Sequence, residues 1–437
     1  MIGTDHVVSR RWLLASGGMV GLATPLAACG GSGTAPASVA TAAPVHPAVT
    51  IEYWSRSAPP AGDVEDKRVV EFNAANAPTK VVRRLMDSDY TTQLTVAFAA
   101  GSGPDTYGVG STSIPSFSAI GAALSLDDYP AAKRELPDFI PAAIECCKYL
   151  GKINGLPYTL GPRAMVIRKD IMTEVGLDAA KFPDTWDTFR EAARRMTKFD
   201  GQALVRGGFL VPQGTTGHDL FMVLHEQLGE HAFNADLSKP TFNGAAGQQA
   251  LQFLVDLLNK DHVDDNAKPR PPQGVNLLVA GINATTWTNT DPIVNARSAA
   301  PQVLPSLATV PIPKFKQRVT YLAGNFLMGS SKPKDATAAV DFLLYLTAAK
   351  NTVEINSVQS GVPPRISAGN SPYIQDPLIK PFYDAVQYAW GVPNHPSYTK
   401  IRDLITTEIG NAYAQTKSVP AALDDAARGA QDLLNKR

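Results

Sequence analysis

The sequence predicts an α/β fold with two lobes, each a mostly parallel sheet flanked by helices, and crossing hinge strands that join the lobes. Two observations carry this prediction. Strand and helix patterns alternate from residue 49 to residue 109, and residues 151–186 contain two short strands joined by a polar elbow. The length of 437 residues leaves room for two or more domains of ~150 residues each.

The alternating region comes first in the folded part of the chain. Val69, Val70 and Phe72 have the spacing of a helix face, and the sequence GSGPD from residue 101 ends a second helix. The predicted order is strand 49–54, helix 64–76, strand 80–85, helix 90–100 and strand 106–109. Open α/β sheets bind ligands at the carboxyl ends of their strands, so this edge is where we expect a ligand.

The central stretch, residues 151–186, changes direction several times. Residues 153–157 and 164–167 read as strands, and the elbow between them carries Tyr158 and Arg163. Gly176 is placed to end a short helix that starts at Asp170. Asp184 is placed to cap the next helix, whose Trp186 we expect in the core.

The remaining elements follow from the same rules. Helix 246–258 has the clearest pattern, since Leu251, Leu254 and Leu258 share one face. The other predicted elements are strands 206–211 and 282–287, return crossings 303–313 and 321–328, and helices 219–228, 335–346, 398–413 and 420–434.

The amino-terminal residues read as an export signal. Arg10-Arg11 precedes a Gly- and Ala-rich apolar stretch that ends in Leu26-Ala27-Ala28-Cys29, and this order resembles a twin-arginine signal followed by a bacterial lipobox. The apolar run is interrupted by glycine and proline and is shorter than the ~20 residues that a membrane span needs. We therefore expect residues 1–28 to be a signal peptide, Cys29 to carry lipid, and residues 29–48 to be a flexible tether.

Charge and cysteine content exclude several classes of protein. Lys plus Arg and Asp plus Glu number 40 each, so the chain has no basic field that would attract nucleic acid. Apart from Cys29, the cysteines are the adjacent Cys146 and Cys147, which cannot form a disulfide framework. They are interpreted as partly buried thiols on a helix, with a vicinal disulfide as the alternative.

No metal or catalytic motif stands out. His225 and His231 are six residues apart and lie about 240° apart around a helix, whereas a zinc protease helix needs two histidines four residues apart. This segment is interpreted as a solvated helix end, and no metal or cofactor is predicted. A glycosidase would need a pair of carboxylates, and the sequence selects no such pair.

Aromatic residues beside amides and hydroxyls recur at the predicted strand ends and crossings. Such pairs suit a sugar, because a ring can stack on its C–H face while amides bind its hydroxyls. Arginines at similar places can bind a carboxylate or a phosphate, so an anionic ligand is the alternative. The predicted ligand-binding residues are Ser55, Arg56, Tyr107, Ser111, Tyr158, Arg163, Trp287, Asn289, Asn325, Arg365 and Tyr398.

The central stretch also resembles a known family. Its residues Gly151, Lys152, Gly155, Pro157, Tyr158, Lys169, Asp170, Gly176, Leu177, Pro183, Thr185 and Trp186 follow the pattern of the extracytoplasmic solute-binding proteins of ABC importers, in the carbohydrate-binding branch that includes maltose-binding protein. Arg168, where the family usually has Asn, and Asp187-Thr188 depart from the pattern. Residues 360–365 resemble a family loop that is one residue longer before its arginine.

The resemblance implies a periplasmic-binding-protein fold. We expect residues 49–160 plus 311–350 to form the amino-terminal lobe, and residues 161–310 plus 351–437 to form the carboxyl-terminal lobe. The implied protein is a monomeric lipoprotein at the outer face of the cytoplasmic membrane, which delivers a sugar or oligosaccharide to ABC permease subunits. The alternatives are a receptor for glycerol-phosphate or another anionic polyol, an extracytoplasmic carbohydrate-active enzyme, and a structural lipoprotein without a ligand.

Overall fold

The computed structural model describes residues 48–86, 89–265 and 267–435, so Cys29, the signal peptide and nearly all of the predicted tether lie outside the described residues. The helices are α1 (Ala61–Ala75), α2 (Tyr90–Ala99), α3 (Ile114–Ala119), α4 (Pro130–Glu135), α5 (Pro141–Glu145), α6 (Lys169–Glu174), α7 (Trp186–Met196), α8 (Gly214–Gln227), α9 (Ala245–Asn259), α10 (Asp291–Ala299), α11 (Ala336–Leu346), α12 (Ala349–Val358), α13 (Pro372–Gln375), α14 (Lys380–Ala385), α15 (Tyr398–Tyr413) and α16 (Val419–Leu434). The strands are β1 (Thr50–Ser55), β2 (Lys80–Leu85), β3 (Thr106–Gly110), β4 (Lys148–Tyr149), β5 (Lys152–Ile153), β6 (Leu156–Pro162), β7 (Ala164–Arg168), β8 (Lys198–Asp200), β9 (Ala203–Arg206), β10 (Thr285–Thr288), β11 (Leu307–Val310), β12 (Thr320–Gly329) and β13 (Ala389–Gly391). Short 3₁₀ helices are Ser111–Ser113, Leu126–Asp128, Leu136–Asp138, Ala179–Lys181, Pro301–Ser306, Ile366–Asn370 and Val386–Tyr388.

The first sheet has the order β13-β12-β3-β1-β2, with β6 also paired to β12. β1 is parallel to both β2 and β3, as the alternation of strands and helices predicts. Parallel neighbours need a crossover connection, and α1 and α2 supply it. The α/β fold class is confirmed, and the carboxyl ends of β1 and β3 meet at the same edge of this sheet.

Strand β12 organises the crossing between the two halves of the molecule. Its second half is antiparallel to β3, while residues 322–327 are antiparallel to β6 and residues 320–322 are parallel to β13. The register against β6 shifts between Asn325 and Phe326, so the ladder is irregular at that point. β6 and β7 are separated by Arg163 alone, and the chain therefore passes directly from the first sheet to the second.

The second sheet has the order β10-β7-β11, and its strand directions differ from the prediction. β7 is antiparallel to both β10 and β11, whereas a mostly parallel sheet was expected. The reason lies in the connections: β10 and β11 are joined through α10 and are parallel to each other, while β7 enters between them from the crossing. Isolated parallel bridges at residues 207 and 210 extend the sheet beyond β10.

Two hydrophobic cores underlie the two lobes. The first contains Phe72, Leu156 and Phe326, and the second contains Trp186, Leu254 and other buried residues of α7, α8, α9, α15 and α16. Trp186 is fully buried and donates from Nε1 to Oε1 of Gln227 at 2.7 Å, in agreement with its predicted core position. The lobe boundaries remain a prediction; buried residues of α12, α13 and α14 pack in the first core, although the sequence suggested that residues 351–437 join the second.

Two local predictions around α7 have different outcomes. Gly176 has φ +69 just after α6, which is the left-handed conformation that commonly ends a helix. The N-cap of α7 is Thr185, whose hydroxyl accepts from the Thr188 amide, and not Asp184. Asp184 instead pairs with Lys314 and Arg318, because these cations lie beside the same turn.

The segment from His225 to His231 is not a solvated helix end, as the spacing suggested. His225 is fully buried near the end of α8, and neither of its ring nitrogens has a hydrogen-bond partner in the structure. Burial lowers its pKa to about 4. His231 is exposed and contacts Glu226 at 2.9 Å.

Within the described ranges, no group of His, Cys, Asp and Glu side chains is arranged to hold a metal ion.

Cys146 and Cys147 follow α5 and are buried free thiols that form no disulfide. Burial, followed by the charge of Glu145, raises the pKa of Cys146 to about 12, so its reactive thiolate is scarce at neutral pH. Among the helices that the structure describes, none has the length and apolar character needed to cross a bilayer.

Candidate ligand-binding cleft

A pocket of about 640 Å³ opens at the carboxyl end of β1. The loop from Ser55 to Ala61 forms one wall, and Tyr158 of β6 and Asn325 of β12 form part of another. Arg56 is exposed at the rim, with its Cζ atom 5.6 Å from the centroid of the Tyr90 ring. The pocket therefore brings together four of the predicted residues, with a buried phenol and an exposed amide among them.

Glu65 on α1 holds this pocket in shape. Its carboxylate accepts from the hydroxyl groups of Ser55 at 2.5 Å and Ser57 at 2.8 Å, and from Nε of Arg83 at 2.7 Å. Glu65 is almost fully buried, so the Arg83 guanidinium compensates a charge that would otherwise be costly to bury. Arg83 also donates to the Ser57 carbonyl, and the loop is thus tied to the sheet at both ends.

Tyr158 lies against the same carboxylate. Its side chain is buried, and its pKa is raised well above the ordinary value by burial first, then by the charge of Glu65 and a hydrogen bond to it. The phenol is therefore neutral. An aromatic ring that is fixed by burial presents a rigid surface to the pocket, which lowers the entropy lost on binding.

A second pocket of about 500 Å³ lies on the other side of the crossing. Arg163, Trp287 and Asn289 line it, together with Gln213 and Thr216 at the start of α8. Asn289 is partly buried, and its Oδ1 accepts from the Asp291 amide at 3.0 Å. This pocket gathers three further predicted residues, all from the second lobe or from the crossing itself.

Arg163 and Trp287 form the centre of the second pocket. The guanidinium Cζ of Arg163 lies 4.9 Å from the centroid of the Trp287 ring and 5.5 Å from that of Tyr321. Nη2 of Arg163 is 3.5 Å from a carboxylate oxygen of Asp219, while Nε is buried without a partner in the structure. The arginine is held by stacking on rings more than by a short ion pair.

Trp287 is more deeply buried than its place at a strand end suggested. Only 1% of the residue is exposed, and its Nε1 donates to Oγ1 of Thr320 at 3.2 Å. Thr320 in turn donates to the Arg163 carbonyl at 2.6 Å. The indole is thus built into the crossing and meets the pocket along part of its surface.

The same two strands run from one pocket to the other. Tyr158 of β6 faces the first pocket, and Arg163, directly after β6, lines the second. On β12, Asn325 lines the first pocket, whereas Thr320 at the opposite end bonds to Trp287 beside the second. The crossing strands therefore connect the two pockets, and we interpret the pockets as the two sides of one candidate cleft.

Two predicted residues of the first lobe lie away from both pockets. Tyr107 is fully buried between Phe98 and Phe117, and its hydroxyl donates to the Ala122 carbonyl at 3.3 Å. Ser111 is buried at the start of a 3₁₀ helix and lines neither pocket. The expected cleft position of this pair is corrected: Tyr107 lies on β3 with its ring in the first core.

Arg365 and Tyr398 are also placed differently from the prediction. Arg365 is buried over the Phe139 ring, with Cζ 3.9 Å from its centroid, and pairs with Glu135 and Asp138. Tyr398 is buried in the second core, with its hydroxyl 3.5 Å from Nε2 of His218. Both are polar groups whose partners are inside the protein, so they line neither side of the cleft.

Many lining residues were not identified from the sequence, and three polar ones serve as examples. Gln359 donates to Oγ1 of Thr159 at 2.8 Å and lines the first pocket, next to the loop residue Gly361, whose amide donates to Oγ1 of Thr290. Glu65 and Gln213 are the other two. The position of Gln213 just before a helix start could have indicated a place in the site. No local sequence feature distinguishes Glu65 or Gln359 from other residues.

Residues 67–381 match the family described as bacterial extracellular solute-binding protein. This match covers more than half of the chain. The chain belongs to this family. The resemblance noted in residues 151–186 is thereby confirmed, and the protein is a solute-binding protein of the extracellular class.

Solved structures support the fold of this solute-binding protein. The sugar-binding protein MalE from Xanthomonas citri superimposes with a TM-score of 0.78 at 19% identity, over 89% of this chain and 98% of that chain. A solute-binding protein from Thermotoga lettingae TMO bound with α-D-tagatose gives 0.76 at 20% identity, over 88% and 100%. The cyclic α-maltosyl-1,6-maltose binding protein from Arthrobacter globiformis gives 0.75 at 24% identity, over 89% and 100%.

A curated relative of this solute-binding protein is the arabinooligosaccharide-binding protein of Halalkalibacterium halodurans. The two chains are 21% identical over 332 residues, which cover 72% of this chain and 71% of the relative. Together with the structural similarity, this confirms the two-lobed periplasmic-binding-protein fold.

Proposed function

We propose that this protein is the substrate-binding component of an ABC importer, which captures a sugar or oligosaccharide between its lobes and delivers it to the permease. The observation that carries the proposal is the cleft itself, with aromatic and polar side chains on both sides of the crossing strands. Tyr158 and Asn325 line the pocket on one side, and Trp287 and Asn289 line the pocket on the other. This combination suits the apolar face and hydroxyl rim of a sugar ring.

The names of similar proteins agree with a saccharide. The relatives described above bind arabinooligosaccharide, tagatose or maltose-type sugars according to their names. Each pocket is also within the roughly 300–1,000 Å³ range of small-molecule sites. We propose that Ser55, Arg56, Tyr158 and Asn325 bind one part of the ligand, and that Arg163, Trp287 and Asn289 bind another.

Capture would occur by closure of the lobes around the ligand. The lobes meet through β6, β7 and β12, and a ligand that contacts both pockets is bound more tightly when these approach each other. Such a ligand shifts an open form toward a closed one in proportion to its preference for the closed form. The permease would then recognise the closed receptor.

The cleft holds and releases its ligand without chemistry in this proposal. Glu65 is the carboxylate nearest the first pocket, and it is occupied by Ser55, Ser57 and Arg83. A glycosidase needs a free pair of carboxyl groups on either side of the bond. The saccharide should therefore return unchanged.

The cellular setting follows from the amino-terminal sequence. We propose that the chain is exported, cleaved before Cys29 and anchored by lipid on that residue to the outer face of the cytoplasmic membrane, where it acts as a monomer. The twin arginines fit the twin-arginine route and equally the basic region of a general export signal. The partner would be the pair of transmembrane permease subunits.

A thermal-shift screen tests the proposal. A ligand that binds the folded state alone raises the melting temperature, and the rise grows with the logarithm of its concentration over Kd. The panel should contain arabinose, tagatose, malto-, manno- and arabino-oligosaccharides, glycerol-3-phosphate and a peptide pool. Stabilisation by a saccharide, followed by its unchanged mass after long incubation, supports the proposal. Stabilisation by glycerol-3-phosphate alone, or the appearance of a cleaved sugar, contradicts it.

A further inference from the structure

A third cavity lies on the outer side of the second lobe, and none of the predicted ligand residues lines it. Its volume is about 590 Å³, and its wall comes from the β8–β9 hairpin, the end of α9, the loop after α9 and the end of α15. Phe199 on the hairpin is 47% exposed and lines this cavity, so an aromatic ring is accessible to a ligand there.

The lining combines a flat ring with amides. Phe199 supplies the exposed ring, and Gln202, Gln213 and Asn259 supply side-chain amides around it. Tyr413 forms part of the wall, and its buried hydroxyl has no hydrogen-bond partner in the described part of the chain. An exposed ring with surrounding amides is again the chemistry of saccharide recognition.

This outer cavity adjoins the second pocket of the cleft. Gln213 and Asp264 line both spaces. Asp264 lies between the two spaces and is held in place. Its carboxylate accepts from Lys268, from the Val211 amide at 3.0 Å and from Asn283. Gln213 is exposed at the start of α8, so of the two shared residues it is the one at the protein surface.

We propose that the outer cavity is an extension subsite, in which a saccharide chain that starts in the cleft beside Trp287 continues over Gln213 and stacks on Phe199. The proposal rests on the saccharide-binding function proposed above and makes it more specific. The ligand class it names is a linear oligosaccharide longer than the cleft. Shorter sugars would fill the cleft and leave the outer cavity unused.

Gly410 provides a way to block the outer cavity without touching the cleft. It lies on α15, lines the cavity, and a Cβ atom added to it meets no heavy atom within 4 Å. Gly410→Trp should therefore fill the cavity, while Gly410→Ala adds a single methyl group at the same helical position and is the matched control. Phe199→Ala removes the stacking surface by an independent change.

The experiment measures Kd by calorimetry for the full-length chain with linear malto-, manno- and arabino-oligosaccharides from the disaccharide to the hexasaccharide. In the series that binds, wild type should gain affinity with length. Gly410→Trp and Phe199→Ala should weaken binding of the longest members by roughly tenfold or more and leave the disaccharide unchanged, whereas Gly410→Ala should match wild type.

The outcomes separate this proposal from the function on which it rests. If the disaccharide and the hexasaccharide bind equally well to wild type and to both blocking variants, the cleft binds sugar and the extension subsite does not exist. If the variants lose the disaccharide as well, the cavity affects the cleft indirectly and the proposal fails. If wild type binds no saccharide of any length, the proposed function fails first. Circular dichroism confirms that each variant is folded.

Discussion

The guanidinium of Arg163 lies over the indole of Trp287, with Cζ 4.9 Å from the ring centroid, and both residues belong to the junction where the chain passes from one sheet to the other. This stack joins a strand end of the second sheet to the crossing. A residue pair in that position influences ligand contact and hinge geometry together. Ligand affinity and unfolding free energy, measured on the same variant, separate an effect on binding from a simple loss of stability.

Trp287→Ala should lower both stability and ligand affinity, and Trp186→Ala should lower stability alone. Both indoles are buried, and removal of a large buried aromatic typically costs about 3–5 kcal/mol of unfolding free energy. Trp287 also lines the cleft, so its loss should weaken the best saccharide by at least ~30-fold, the equivalent of ~2 kcal/mol. Denaturant unfolding and calorimetry measure the two effects. Equal affinity of the folded Trp287→Ala and Trp186→Ala variants would exclude ligand contact by Trp287.

Glu65→Gln should loosen the first pocket, because the amide cannot balance the buried charge of Arg83. Breaking a buried ion pair typically costs roughly 3 kcal/mol or more, and one of Ser55 and Ser57 would face an amide NH2 group in place of its acceptor oxygen. Asp66 also pairs with Arg83 but is mostly exposed, so Asp66→Asn is the matched control and should cost less than about 1 kcal/mol. Chemical denaturation and ligand titration of both variants check this. Equal stabilities would show that Glu65 is not the organiser of the pocket.

Acid should destabilise the protein through His225. Its folded pKa of about 4 is below the ordinary value of ~6.5 for an unfolded chain, so the unfolded state binds the proton more readily. The contribution is fully present above about pH 6.5 and is lost as the pH falls toward about 4, by up to ~3 kcal/mol. His225→Leu should remove this component from the pH dependence of unfolding, whereas His231→Gln, at an exposed position, should leave it in place. Parallel pH profiles for wild type and His225→Leu would refute the assignment.

Cys29→Ser should abolish lipid attachment and leave the fold unchanged. The prediction follows from Leu26-Ala27-Ala28-Cys29 and from the scarcity of large apolar residues in the Gly-, Ser- and Ala-rich segment that follows. Intact-mass measurement and membrane fractionation of the exported protein test it. If the variant keeps both the mass and the membrane association of wild type, the anchor is elsewhere.

The sequence was informative about elements and less so about which side of an element faces the cleft. Helix 246–258, seen as α9 from 245 to 259, was predictable because its leucines repeat at helical spacing over four turns. Trp186 was assigned to the core for the same reason. Strand direction in the second sheet was not predictable, since it depends on how β7 enters between β10 and β11, and no local pattern encodes that.

The candidate site was only partly accessible from sequence for a related reason. Ser55, Tyr158, Arg163 and Asn325 follow strands or crossings, and the fold brings them to the pockets. Tyr107 and Tyr398 stand beside equally polar neighbours but turn their rings into the cores. A tyrosine on a strand or at a helix start can turn its ring toward a cleft or into a core, and tertiary packing decides which.

The position of β12 in the first sheet has a consequence for when the protein can fold. β12 pairs with β3 and with β6, yet it lies more than two hundred residues after the first and more than one hundred and fifty after the second. Until residues 320–329 have left the ribosome, β3 lacks one of its neighbours and β6 lacks its partner, and contacts this distant in sequence form slowly. The first sheet cannot be completed before residues 320–329 are synthesised. The amino-terminal lobe therefore stays incompletely folded while most of the chain is being made.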